Sequence, residues 1–134
     1  MAGKGELVLI VDDYEEGRDI CAEYLEYHGY EVATAVDGEE ALAKARRLRP
    51  ELILLDLALP KVDGWEVARR LRAAEETAGV SIIALTAHAL ANLRQRALDA
   101  GCDQVVTKPV SPKVLERWVR ETLDRAPSTP KKED

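Results

Sequence analysis

Residues 52–60 read Leu-Ile-Leu-Leu-Asp-Leu-Ala-Leu-Pro, an apolar run broken by the carboxylate of Asp56 before it reaches Pro60. A strand with one wet face alternates polar and apolar residues, whereas a strand covered on both faces is apolar throughout. The run therefore predicts a central parallel strand. An ionised carboxylate in such a place costs several kcal/mol unless it is paired or coordinated. Asp56 is accordingly expected to have partners at the strand's end.

On either side, short runs rich in Val, Ile and Leu alternate with longer segments of helical period, five times along the chain. Strands are expected at Leu7 to Val11, Tyr30 to Val36, Leu52 to Leu57, Ser81 to Leu85 and Gln104 to Thr107. Helices are expected at Glu15 to His28, Glu39 to Leu48, Trp65 to Ala74, Asn92 to Ala100 and Pro112 to Arg125. Asp37 and Glu40 form a D-x-x-E capping pair, Gly29 and Gly101 stand just past helix ends, and Pro112 suits a first helical turn after Ser111. Such a (βα)5 chain gives an α/β domain with a parallel sheet. Its right-handed crossovers bring every strand's C-terminal end to one edge, and ligands bind there where strand order reverses.

Size and charge narrow the function. A chain of 134 residues with 46% apolar content can bury one core of its own. Residues 6–125 are expected to form that domain, residues 1–5 an N-terminal extension, and residues 126–134, APSTPKKED, a flexible tail. A net charge of −6 and a pI near 5.0 argue against direct nucleic-acid contact. No apolar stretch approaches the ~20 residues of a membrane span, and the first residues carry no secretory signal, so a cytoplasmic location is expected. Cys21 and Cys102 match no metal or redox spacing and read as small buried hydrophobes.

The shared edge collects the chemistry. Asp12 and Asp13 follow the first strand, Asp56 closes the third, Thr86 the fourth, and Lys108, followed by Pro109, the fifth. Carboxylates gathered there repel by about 4 kcal/mol per pair at ~4 Å and an effective dielectric of about 20. A divalent cation reverses that sign, and Mg²⁺ (or Mn²⁺) suits an all-oxygen set that commonly also takes a phosphate oxygen. Phosphoryl chemistry is then the natural reading, with Asp56 as nucleophile, Lys108 as a point charge and the Thr86 hydroxyl as a donor.

The blocks VDDYEEGR, LILLDLALPKVDGWE, ALTAHA and VTKPVSP, in this order and each at a strand end, resemble those of bacterial two-component response-regulator receiver domains. The resemblance covers residues 6–125 and is to the single-domain, chemotaxis-regulator kind. It implies a flavodoxin-like, doubly wound five-stranded parallel sheet in strand order 2-1-3-4-5. It further implies Asp13, Asp56 and the Ala58 backbone carbonyl as metal ligands, and Asp12 as holder of a metal-bound water. Asp56 would accept phosphate from the histidine of a sensor kinase or of a histidine phosphotransfer protein. Thr86 would move toward the phosphoryl group, Lys108 would contact it, and the peptide before Pro109 would be cis. Such a domain is a phosphoacceptor switch that catalyses its own phosphorylation and slow autodephosphorylation. Its output here is expected to pass through protein contact or a homodimer formed by the last two β/α units.

Three positions depart from the family's common pattern. Val105 stands where Tyr or Phe is frequent, which removes the usual aromatic rotamer switch. Ala58 has no amide or acid to orient an attacking water, and His88 lies two residues after Thr86. Ala58 and His88 are expected to set the phosphoryl lifetime, with Ala58 lengthening it.

Other readings fit less well. A haloacid-dehalogenase-type metal phosphatase needs a second acid two residues after its nucleophile, where Ala58 stands. A phosphorylation-independent pseudo-receiver scaffold has no use for a repulsive acidic cluster. Asp12 and Asp13 taken alone would read as helix caps, and His28 as an imidazole at a helix C-terminus. Trp65 reads as packing. Trp118 lies beside the inward stripe of Leu115, Val119 and Thr122, and is expected exposed toward the fourth helix and fifth strand, as an interface residue.

Overall fold

The apolar runs become five strands: β1 (Leu7–Val11), β2 (Glu31–Ala35), β3 (Leu52–Asp56), β4 (Ser81–Thr86) and β5 (Gln104–Thr107). A helix follows each in turn: α1 (Glu15–Tyr27), α2 (Gly38–Leu48), α3 (Gly64–Ala73), α4 (Leu93–Asp99) and α5 (Pro112–Arg125). The structure, a computed structural model, describes residues 5–87 and 92–125. His88, residues 1–4 and the tail at 126–134 therefore lie outside the described residues. The strands pair in parallel in the order β2-β1-β3-β4-β5, as expected.

The two-residue pleat divides the core. Val8, Ile10, Leu52, Leu54, Ile83 and Leu85 join Cys21 and Leu25 of α1 and Leu115 and Val119 of α5 on one face. Leu9, Val11, Ile53, Leu55, Ile82 and Ala84 meet α2, α3 and α4 on the other, against Ala41, Ala45, Val67, Leu71 and Ala97. Burial on both faces is why the central strands carry no alternation.

Boundaries shift where local groups claim backbone donors. β2 lacks Tyr30 because its N–H closes α1 by donating to the Leu25 carbonyl (3.2 Å), beyond Gly29 at φ +97°. It lacks Val36 because that N–H donates to Glu40 Oε1 at 2.9 Å. Asp37 and Asp63 stand outside α2 and α3 as caps, their Oδ1 atoms accepting the Glu40 and Glu66 N–H groups at 2.8 and 3.0 Å. Both helices thus begin one residue earlier than expected, at Gly38 and Gly64. β4 gains Thr86, paired with Thr107, while β3 ends at Asp56. Asn92 and Ala100 cap α4 rather than belonging to it. β1, β5 and α5 have the expected bounds.

One core expectation needs correction. The inward face of α5 includes Glu116, which is buried beside Leu115, Val119 and Thr122. Its carboxylate accepts from the buried Tyr30 hydroxyl at 3.2 Å and from Arg120 at 2.7 Å, so the charge is paired. Burial, aided by Glu116, pushes the Tyr30 phenol well above its usual range. Trp118 is half-buried against the α1/α5 cluster rather than fully exposed, because it shares a helix flank with Leu115 and Val119.

Candidate functional site

Strand order reverses between β1 and β3, and their ends place Asp12 and Asp56 side by side. Asp12 leaves β1 with its N–H still on the Ala35 carbonyl at 3.1 Å. Its Oδ1 accepts the Tyr14 N–H at 3.0 Å, and its carbonyl accepts from Arg18 Nη1 at 2.9 Å. The residue capping α1 is Tyr14, with no side-chain cap bond, so the acids do not serve as that cap. Asp13 is exposed.

Asp56 is the last residue of β3, buried, with Oδ1 accepting the Ala58 N–H at 3.0 Å. Lys108 emerges from β5, where its N–H donates to the Thr86 carbonyl at 2.7 Å and the following Lys108-Pro109 peptide is cis. Its ammonium reaches back across β4 to Asp12 Oδ2 at 3.2 Å and Asp56 Oδ2 at 3.4 Å. Thr86 is buried at the end of β4. Asp12, Asp13, Asp56, Thr86 and Lys108 thus share one edge.

Electrostatics follow from this placement. Burial raises the Asp56 carboxyl above its ordinary 3.8, the Asp12 charge acts in the same direction, and the Ala58 N–H and Lys108 oppose. Burial also pulls the Lys108 ammonium down, but the charges of Asp56 and Asp12 outweigh it and hold the group above 10.5. Lys108 is therefore a fixed internal cation. Cys21, near Asp12, is pushed up to about 12 by burial and by that acid's charge, which keeps it an inert thiol.

Carboxylate oxygens of Asp12, Asp13 and Asp56 lie within 4.8 Å of one another. Opposite ligands of one Mg²⁺ are about 4.2 Å apart. A small inward shift of these side chains would therefore satisfy one ion, and the all-oxygen donor set fits it. The β3–α3 loop, residues 57–63, starts beside the acceptor, with the Ala58 N–H on Asp56 Oδ1.

Two glycines seat that loop. The Gly64 N–H donates to the Leu57 carbonyl at 3.1 Å, and a Cβ on Gly64 would meet Leu57 Cα at 2.6 Å and overlap the Asp56 carbonyl. A Cβ on Gly38 would meet Val62 Cβ at 2.7 Å, so the β2–α2 turn backs the loop. Lys61, at φ +68°, adds an ion pair to Asp37 at 3.5 Å. Sequence reasoning missed both glycines and Arg18. The signal for the glycines was the Asp-Gly step at 37–38 and 63–64, each a cap followed by a residue without a side chain.

Other singled-out residues lie elsewhere. Val105 is half-buried against the α2/α3/α4 cluster. Trp65 packs there too, with Arg96 4.9 Å over its ring. His28 caps the C-terminus of α1, one residue beyond the helix rather than in it as expected, beside the rings of Tyr24 and Tyr27 at 4.6 and 5.3 Å.

The response regulator receiver domain model matches residues 8–120. The chain belongs to the response regulator receiver domain family. This receiver domain is a module of two-component signalling, a switch rather than an enzyme in the ordinary sense. It is 41% identical over 123 residues to the DNA-binding dual master transcriptional regulator RpaA of Synechocystis, covering 92% of this chain and 51% of that one. The receiver spans about half the length of the curated relatives it matches. Its fold matches a CheY-like receiver of Methanospirillum hungatei with a TM-score of 0.85, at 32% identity over 93% of this chain and 98% of that one. It also matches the receiver domain of the sensor histidine kinase PA1611 of Pseudomonas aeruginosa (TM-score 0.81, 35% identity, 90% and 98% covered). That protein has a magnesium ion coordinated in its active-site cleft. No described helix of the receiver is long and apolar enough to cross a membrane.

Proposed function

We propose that Asp56 accepts a phosphoryl group from the histidine of a sensor kinase or of a histidine phosphotransfer protein. The observation that carries this is the placement of a buried strand-end carboxylate 3.4 Å from a fixed lysine and beside two further acids. Asp12, Asp13, Asp56 and the Ala58 carbonyl would hold Mg²⁺ or Mn²⁺, which when bound neutralises charge on the phosphoryl oxygens. As a carboxylate oxygen of Asp56 forms the new P–O bond, the donor's P–N bond breaks and its imidazole keeps the electron pair, later taking a proton from solvent. Lys108 exchanges its contact with Asp56 for one with the phosphoryl oxygens, and the buried Thr86 hydroxyl donates to them.

Phosphorylation adds roughly −1.5 to −2 charge at the edge. Shifting a two-state packing from 1:99 to 99:1 takes about 5.5 kcal/mol, within reach of several charge-assisted contacts. With Val105 in place of a ring, the readout runs through backbone movement at Thr86 and repacking of the last two β/α units. Output then passes by protein contact or homodimerisation there. We assign the domain a cytoplasmic setting and, given its −6 charge, no nucleic-acid contact of its own. Ala58 and His88 set the phosphoryl lifetime. Peptide mapping after incubation with acetyl phosphate and Mg²⁺ tests the acceptor: an adduct on any residue other than Asp56 overturns the assignment.

A further inference from the structure

The pentapeptide Ala-Arg-Arg-Leu-Arg occurs twice, at residues 45–49 and 68–72, each time at the C-terminal end of a helix. In α3 it is fully committed: Arg69 and Arg70 pair with Glu66 at 3.2 and 2.9 Å, Leu71 is buried, and Arg72 donates to the Gly101 and Ala78 carbonyls and to Asp103. In α2 the same residues have nothing to hold. Leu48 is 36% exposed, and the exposed side chains of Arg46, Arg47 and Arg49 make no hydrogen bond or ion pair among the described residues. Arg49 also occupies the left-handed conformation, at φ +52°, that a helix end ordinarily gives to glycine or asparagine. The end of α1 has the opposite character. Its last turns carry Glu23 and Glu26 with no basic residue, against the helix dipole, and neither carboxylate has a partner among the described residues. Beside them Tyr27, at 85%, is the most exposed large apolar side chain described.

Helices α1 and α2 each follow a strand and run back to the sheet edge opposite Asp56, and both pack against the border strand β2, one on each face. The acidic corner and the basic corner therefore flank β2 at one end of the molecule. A second copy turned by a two-fold axis across that end sets each acidic corner against a basic one, so that two equal contacts close the pair. We propose that the chain pairs with a second copy of itself in this way, Glu23, Glu26 and Tyr27 of one docking on Arg46, Arg47 and Leu48 of the other. Opposite charges meet twice, and the Tyr27 ring covers Leu48 while offering its face to a guanidinium. The pairing leaves the acceptor edge open and does not rest on Asp56 as acceptor. It is distinct from the phosphorylation-dependent contact of the last two β/α units.

Sedimentation equilibrium of the full chain at low salt tests this, without a phosphoryl donor so that the other contact does not intervene. The samples are wild type, Arg46→Glu/Arg47→Glu, Glu23→Arg/Glu26→Arg, an equimolar mixture of these two variants, and Tyr27→Ala. Each charge variant alone should self-associate at least about tenfold more weakly than wild type, because like charges then face one another. Their mixture should recover wild-type association to within about threefold, since each variant supplies the partner that the other needs. Tyr27→Ala alters one exposed ring and no charge, and should weaken the pair about fivefold or more. Salt at about 0.5 M should loosen the wild-type pair. A wild type that stays monomeric up to about 0.5 mM overturns the proposal. So do charge reversals that leave the association unchanged, or a mixture of the two folded variants that associates no more tightly than either alone.

Discussion

The Lys108 ammonium lies 3.4 Å from Asp56 Oδ2, although 52 residues separate the two and β4 runs between their strands. A second contact, at 3.2 Å to Asp12, makes this lysine the common partner of both buried acids. Before any ion binds, it is the group that renders the acidic edge tolerable.

Lys108→Met keeps the apolar stem and removes the charge, leaving Asp12 and Asp56 to repel. With the Lys108 side chain 30% exposed, solvent screening reduces the loss to about 1–2 kcal/mol. Urea unfolding without divalent ions measures it, and adding Mg²⁺ should recover more stability in the variant than in wild type. Coincident unfolding curves would contradict the role given to Lys108.

Gly64→Ala should cost about 2 kcal/mol or more, since its Cβ meets backbone that has no free volume to retreat into. Gly17→Ala is the contrast. In α1 its Cβ meets a single side chain, the exposed Tyr14 ring at 3.0 Å, so alanine should be neutral or stabilising by up to ~1 kcal/mol. Thermal unfolding compares the two. Calorimetry should also show weakened Mg²⁺ binding for Gly64→Ala but not for Gly17→Ala.

Asp37 governs an acid-sensitive part of the fold. The Glu40 N–H holds its carboxyl below the ordinary 3.8, Lys61 adds to this, and burial opposes it. A lowered folded value means the stabilisation is fully present above about pH 4 and is lost as pH falls through that value. Asp37→Asn should therefore be less stable than wild type near neutrality, with the difference vanishing in strong acid. Urea midpoints across that range check this; a gap that stays constant into acid would contradict it.

Much of this arrangement was legible because the chain states it locally. The apolar runs around Leu9, Leu54 and Ile83 are buried on both sides, so burial alone marked them as central strands. Asp56 stood out as a charge inside such a run. What stayed hidden depends on groups distant in sequence. Glu116 reads as a surface acid until Tyr30 meets it from 86 residues away. Arg72 reads as a solvated helix residue, yet it bonds Gly101 O at 2.9 Å and Asp103 at 3.0 Å, tying α3 to the entry of β5. Element ends at Tyr30 and Val36 likewise depended on which acceptor claimed an N–H, which periodicity does not encode.

Ala58 is exposed beside the acceptor and offers no group to position a water. Ala58→Asn places an amide there and should speed phosphoryl loss severalfold. Following the adduct by mass after removal of donor measures it, and equal or slower loss from the variant would contradict the role given to Ala58.

The acceptor itself has the most direct test. Wild type incubated with acetyl phosphate and Mg²⁺ should gain the mass of one phosphoryl group, and Asp56→Asn under the same conditions should gain none. A wild-type protein that acquires no adduct, or an adduct that survives in Asp56→Asn, would contradict the assignment of Asp56.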